Sequence, residues 1–186
     1  MLSPQIVLDA NVIVQAPVRD LLLDADAHGL CRVRWTEAIL AEARRTLIGE
    51  FRRDPTRIAT LLAAMRQHFP RAAIVGDEAR IAAMTNDPKD RHVAAAAVWA
   101  GAAIATFNLR HFRAADLAPF GARALHPDAL LMGLYSMHAA TVATIVHEQV
   151  AQRTDPPLAL AAYLDRLVVP LPRFATTIRV QILSAD

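Results

Sequence analysis

The sequence predicts an α/β fold: a parallel sheet flanked by helices, followed by a small all-helical appendage. Three observations carry this expectation. Short apolar runs that end on polar residues, Gln5–Leu8 before Asp9 and Ala103–Thr106 just before Asn108, read as buried strands. Stretches of helical apolar periodicity lie between such runs, and that alternation implies a parallel sheet. After about Leu134 no comparable strand candidate follows, so residues 1–133 and 134–186 read as two parts.

In chain order, Gln5–Leu8 opens the sheet and Val18–Ala27 reads as a helix stopped by Gly29. Val33–Trp35 is a second strand candidate. A helix follows from about Thr36 to Ile48, with Leu40, Ala43 and Leu47 as its apolar stripe. Pro55 opens another helix that Pro70 closes, and Ala73–Val75 reads as a short strand. Asp87-Pro88 starts an alanine-rich helix ending near Gly101, with Asp87 as N-cap, Pro88 at the first helical position and Asp90 two residues later. Ala103–Thr106 and Arg123–Leu125 complete the strands. Met137–Gln152, Pro157–Val168 and Leu171–Leu183 read as helices, the first two joined through Thr154-Asp155-Pro156-Pro157.

The chain has 186 residues, of which 54% are hydrophobic, enough for a packed core. Net charge is +2 with a sequence pI of about 9.2, a slight bias towards an anionic partner. Lys89 is the only lysine, so arginine carries the positive charge, and its planar fork suits phosphate. From Arg32 to Arg71 there are nine arginines against four acids, whereas the chain from Leu134 onward is balanced. That places the electrostatic face for an anionic partner on the α/β part. A lone Cys31 excludes an internal disulfide and points to a reducing cytoplasm. No signal peptide is apparent. Val93–Phe107 and Ala129–Val146 are apolar, but Gly101 interrupts the first and Ser136, His138, Thr141 and Thr144 the second; buried helices, not membrane spans, are expected.

The sequence lacks a glycine-rich phosphate loop, a nucleophile elbow and a Cys/His zinc pattern. What remains is a set of carboxylates and amides at element ends. Asp9, beside Asn11, sits at the carboxyl end of a strand, where open α/β sheets bind ligands. Glu42 lies in the helix after the second strand, with Glu37 as a competing acid. Asp87 and Asp90 bracket Pro88-Lys89, and Asn108 follows a strand as Asp9 does. Each has a plain structural reading: an Asx-turn for Asp9, surface pairing with Arg44 or Arg45 for Glu42, helix-start acids for Asp87 and Asp90, and a turn residue for Asn108. Together, oxygen ligands from four separated segments suit Mg²⁺ or Mn²⁺, and hence in-line chemistry at phosphorus.

Four motifs occur in order: Val7-Leu8-Asp9-Ala10-Asn11-Val12; Trp35-Thr36-Glu37-Ala38-Ile39-Leu40-Ala41-Glu42; Asn86-Asp87-Pro88-Lys89-Asp90-Arg91-His92-Val93-Ala94-Ala95-Ala96; and Ala105-Thr106-Phe107-Asn108-Leu109-Arg110-His111-Phe112. From about Ile6 to Leu131 this resembles the PIN-domain ribonucleases, in particular VapC-like toxins with a helical C-terminal extension. The resemblance implies a Mg²⁺- or Mn²⁺-dependent endoribonuclease. It puts Asp9, Glu42 and Asp90 at three acidic positions, lets Asp87 assist, and puts Asn108 at a fourth position that is commonly Asp. An amide is a weaker oxygen ligand and brings no charge. Thr106 is placed to orient ligands, and Arg44, Arg45, Arg91, Arg110 and His111 to meet phosphates. The implied partners are an RNA substrate, an antitoxin protein and a second copy in a homodimer. The alternatives are a housekeeping RNA-processing nuclease and a non-catalytic binding module on the same fold; Asn108 supports the latter, and three intact, mutually repelling acids oppose it.

Overall fold

The computed structural model describes residues 3–154 and 156–183. Asp155 of the expected Thr154–Pro157 linker, and the outer ends of both expected parts, lie outside the described residues. Four short strands, β1 (Gln5–Leu8), β2 (Arg32–Arg34), β3 (Ala103–Ala105) and β4 (Arg123–Leu125), form a parallel sheet in the order β2-β1-β3-β4. The register pairs Ile6 with both Val33 and Ala103, and Ile104 with Ala124. Central β1 is buried along Ile6, Val7 and Leu8, as a parallel sheet covered on both faces requires.

The helices around this sheet are α1 (Ala10–Ile13), α2 (Ala16–Ala27), α3 (Glu37–Gly49), α4 (Pro55–His68), α5 (Glu78–Ala83), α6 (Arg91–Ala100) and α7 (Ala114–Leu117). Helix α3 starts where Thr36 Oγ1 accepts from the Ile39 amide at 3.3 Å, and it buries Ile39, Leu40, Ala43 and Leu47. Asp54 caps α4 in the same way through the Arg57 amide at 2.9 Å. Helix α6 ends on Gly101 at φ +59, a left-handed position that disfavours a side chain.

The expected strand at Ala73–Val75 is not a strand. Only an isolated bridge joins Trp35 to Ala73, with the Trp35 amide on Ala72 O and the Ile74 amide on Trp35 O, both at 2.9 Å. The short helices α1, α5 and α7 were not expected; four to six residues are too few to display a period.

From Pro127 onward the described chain is helical: α8 (Pro127–Ala151), α9 (Leu160–Val168) and α10 (Pro172–Leu183). Helix α8 begins ten residues before the expected Met137 and so runs across the 133/134 division. His126 Nδ1 accepts from the Asp128 amide at 3.2 Å, and Pro127 pre-sets the first turn. His138 breaks the helical path with φ −141 and ψ 46. Helix α9 starts later than the expected Pro157, because Pro157 bridges back to Thr154.

The extension docks on its own chain. Helix α8 packs on α2, where Gln149 Nε2 donates to Asp24 Oδ2 and His28 Nε2 lies 3.3 Å from Glu148. Tyr163, Leu164, Leu167, Phe174 and Ile178 close the interior. Helix α8 has the length and hydropathy of a membrane span, but Leu130, Leu131, Leu134, Val142, Ile145 and Val146 are buried in protein.

One buried carboxylate ties the two ends of this extension together. Asp128 accepts the Phe174 amide at 2.9 Å, capping α10 from 46 residues away. Asp128→Ala is expected to cost about 1–3 kcal/mol, since it orphans a buried amide. Thermal denaturation should show a loss of several degrees, with Asp128→Asn, which keeps an acceptor, recovering most of it. An Asp128→Ala protein that melts like the parent would remove this contact from the account of the fold.

Candidate active site

The carboxyl ends of β1 and β3 are joined by side chains. The Asp9 amide donates to Ala105 O at 3.1 Å, which fixes the residue immediately after β1. Asp9 Oδ2 accepts from Thr106 Oγ1 and from Asn11 Nδ2, both at 2.7 Å. Thr106 Oγ1 in turn accepts from Asn11 Nδ2 and from the Asn108 amide, both at 3.0 Å, while Asn11 Oδ1 takes the Phe107 amide at 3.1 Å. Asp9 is thus held in one orientation at 3% exposure. Burial raises its carboxyl from 3.8 to about 6, opposed by the Thr106 hydrogen bond and reinforced by the charges of Asp90 and Glu42. Three acids from three separate segments therefore act on one another across this edge.

Glu42 reaches the edge from α3, half-buried at the flank of the core stripe. It pairs neither with Arg44 nor with Arg45: its Oε2 lies 3.3 Å from His92 Nε2 on α6. The Glu42 carboxylate raises the His92 imidazole above its ordinary range, against the opposing effect of burial. Glu37 is committed elsewhere. Arg66 Nε and Nη2 grip its two oxygens at 3.0 and 2.7 Å, and that grip lowers the Glu37 carboxyl.

Asp87 and Asp90 flank the 3₁₀ turn Pro88–Asp90. Asp87 Oδ1 accepts the Lys89 amide at 3.1 Å, the capping role expected of it. Asp90 is buried, and its Oδ2 lies 2.7 Å from His111 Nδ1. Among the described residues, Asp87, Asp90 and His111 form a group whose ligand atoms all lie within 4.8 Å of one another. Asp9 and Glu42 are outside that compact group, although their charge reaches into it.

Asn108, the expected fourth ligand, adjoins this group with its side-chain amide engaged by two neighbours. Its Nδ2 lies 2.9 Å from His111 Nδ1, and its Oδ1 accepts from Arg110 Nε at 3.0 Å. The amide thus contacts both His111 and Arg110, and the imidazole lies with Asp87 and Asp90. The sequence suggests a phosphate contact for His111; an imidazole in this place can also serve as a metal ligand. The 3₁₀ turn Leu109–His111 brings the imidazole there, and no sequence signal marks that turn.

Of the candidate RNA-binding residues, Arg91 and Arg110 line a cavity of about 320 Å³ that also touches Asp87 and His111. Arg45 lines a second cavity, of about 450 Å³, together with Glu42 and His92. Arg44 is exposed and lines neither. Lys89 and Arg113, in the second and first cavity respectively, were not singled out from the sequence. A larger cavity, about 810 Å³, lies among α2, α4 and β2; it takes Arg32, Arg34 and Arg71 and shares no residue with the acid-lined edge. The basic segment Arg32–Arg71 is therefore divided between two surfaces.

Comparison with known proteins agrees with this architecture. The PIN domain family model matches residues 5–110, more than half of the chain, and the VapC50 C-terminal domain model matches residues 127–180. A curated relative from Mycobacterium tuberculosis (strain ATCC 25618 / H37Rv), named "Putative ribonuclease VapC50", is 40% identical over 100 residues. That stretch covers 53% of this chain and 59% of the relative, so the match spans less than two thirds of the relative's length. No solved structure matches the chain. With the parallel sheet in place and the family match extending across it, the chain belongs to the PIN-domain family.

Proposed function

We propose that the chain is a divalent-metal-dependent endoribonuclease that hydrolyses RNA phosphodiester bonds, acting as the toxin of a toxin-antitoxin pair in the cytoplasm. The observation that carries this reading is the donor set at the sheet edge. Asp87, Asp90 and His111 are close enough to share one cation, with buried Asp9 and half-buried Glu42 near them. Hard oxygen donors fit Mg²⁺ and Mn²⁺, and one imidazole nitrogen favours Mn²⁺ of the two. Asp9, Glu42, Asp87, Asp90 and His111 would hold the cation, with Asn108 orienting the imidazole. When bound, the cation supplies an activated water and offsets charge on the phosphate in the transition state.

The remaining work falls to side chains already in place. Thr106 and Asn11 lock the Asp9 carboxylate, so no reorganisation is needed when substrate arrives. His92, set against Glu42, limits repulsion between that carboxylate and its acidic neighbours. Arg45, Arg91 and Arg110 line the cavities on either side and would neutralise the RNA backbone. The toxin assignment and the antitoxin partner rest on the family resemblance and on the relative's name. A homodimer fits the same family.

The test is cleavage of end-labelled single-stranded RNA by the purified chain with Mn²⁺, with Mg²⁺ and with excess chelator. Cutting within the strand is expected with either metal, faster with Mn²⁺, and none with chelator. Cutting that persists in chelator, or no cutting under any condition, would sink the proposal.

A further inference from the structure

The two cavities beside the acids differ in character, and the turn Pro88–Asp90 separates them. Asp87 and Pro88 line the first, and Lys89 lines the second. A strand that places a phosphate over the acids must cross this turn, so its neighbouring nucleotides fall on opposite sides of it.

The first cavity carries Arg91, Arg110 and Arg113, and each guanidinium is braced through Nε. Arg91 Nε donates to Asn86 O at 3.2 Å, Arg110 Nε to Asn108 Oδ1 at 3.0 Å and Arg113 Nε to Asp116 Oδ2 at 2.8 Å. Asp116 is itself buried, takes a second bond from Arg113 Nη2 at 3.3 Å and is steadied by Thr85 Oγ1 at 3.3 Å. Long, exposed arginines normally lose rotamer freedom on binding; here much of that ordering is already done. The Nη1/Nη2 edge of Arg91 and Arg110 remains as the donor edge that suits a phosphate oxygen pair, and Nη1 of Arg113, whose Nε and Nη2 face Asp116, adds a single donor beside it.

The second cavity is built otherwise. Ala38 and Ala41, one turn apart on α3, leave a small-residue wall with room for a sugar and base. Arg45 and Lys89 supply the charges at this wall, and both are exposed. At about 450 Å³ the space suits one nucleotide, and its wall is less polar than the arginine-lined side.

Building on the nuclease reading above, we propose that the RNA strand is held by two unlike subsites. Arg91, Arg110 and Arg113 clamp a backbone phosphate on one side of the acids. The cleft of Ala38, Ala41, Arg45 and Lys89 receives a base-bearing nucleotide on the other. The clamp reads phosphate alone, and the cleft needs the base.

The experiment uses the full chain carrying Asp9→Asn, a substitution in neither cavity, as a parent that binds without cutting. Its affinity for fluorescent single-stranded octauridylate, and for an abasic ribose-phosphate octamer, is measured by anisotropy across a salt series. Arg110→Ala/Arg113→Ala should weaken both probes alike, by about tenfold, and lower the salt slope by about 1.4. Arg110→Lys/Arg113→Lys should keep the slope while losing part of the affinity, because charge stays and the fork is lost. Ala38→Leu/Ala41→Leu, which fills the cleft, should weaken octauridylate severalfold and leave the abasic octamer unchanged. Arginine variants with the parent's affinity and slope, or a filled cleft that weakens both probes equally, would overturn the two-subsite arrangement while leaving the nuclease reading standing. A parent that binds neither probe would overturn both.

Discussion

Asp90→Asn is expected to reduce RNA cleavage about a thousandfold and to leave the fold intact. The carboxylate is buried, 2.7 Å from His111 Nδ1, and close enough to Asp9 to disturb its ionisation. Asparagine has nearly the same shape and keeps an oxygen that can accept from the imidazole, so packing is preserved. What disappears is one negative charge in a confined site, where preorganised electrostatics accounts for about 10²–10³ in rate per group. Loss of a cation ligand should add to that. Initial rates on labelled RNA give the first readout, and Mn²⁺ affinity by calorimetry the second. Glu37→Ala is the matched control, because Glu37 is exposed and bound to Arg66; it should stay within about twofold of the parent. An Asp90→Asn protein within tenfold of the parent would remove Asp90 from the machinery, whatever becomes of the wider nuclease proposal.

The contrast between these two acids shows what the sequence could and could not convey. Glu37 and Glu42 both lie in a predicted helix, five residues apart, and periodicity alone does not decide which faces the functional edge. The deciding facts are long-range: Arg66 on α4 captures one, and His92 on α6 meets the other. The sheet itself was legible, because β1 and β3 are largely buried strands followed directly by polar residues, and both signals are local. The single bridge at Ala73 was not, because a three-residue apolar run looks the same whether it pairs once or along a ladder. Pro127 marks the start of α8 locally, whereas the apolar run that suggests a helix begins only further on. The difference between Asn108 and His111 is of the same kind. Both follow β3, and only the folded 3₁₀ turn shows that the amide buttresses while the imidazole faces Asp87 and Asp90. Asn11 is a sequence neighbour of Asp9, but its joining of two strand ends depends on Thr106, 95 residues away.

The largest expected change in stability comes from the residue that holds that junction. Asp9→Asn should raise the stability of the metal-free protein by about 3 kcal/mol at pH 7. The folded-state carboxyl is raised to about 6 against an ordinary value of 3.8, first through burial and then through repulsion from Asp90 and Glu42. The folded form therefore binds this proton more tightly than the unfolded form does. Stability falls as pH rises from about 4 to about 6, and above that range the full cost of a buried, ionised Asp9 is present. Asparagine carries no such cost, and its amide oxygen can still accept from both Thr106 and Asn11. Thermal melts at pH 7 without metal should show the variant about 6–12 °C above the parent, and the two should converge below about pH 4. Millimolar Mn²⁺ should narrow the gap by stabilising the parent alone, since binding to the folded form adds to its stability and the variant has lost a ligand charge. A variant that melts lower than the parent at pH 7 would mean that the Asp9 charge is favourable where it sits, and that the junction with Thr106 and Asn11 outweighs burial and repulsion. Convergence at low pH without a gap at pH 7 would lead to the same conclusion. The expected outcome instead makes Asp9 a charge kept at the expense of the fold, as a site that must receive a cation requires.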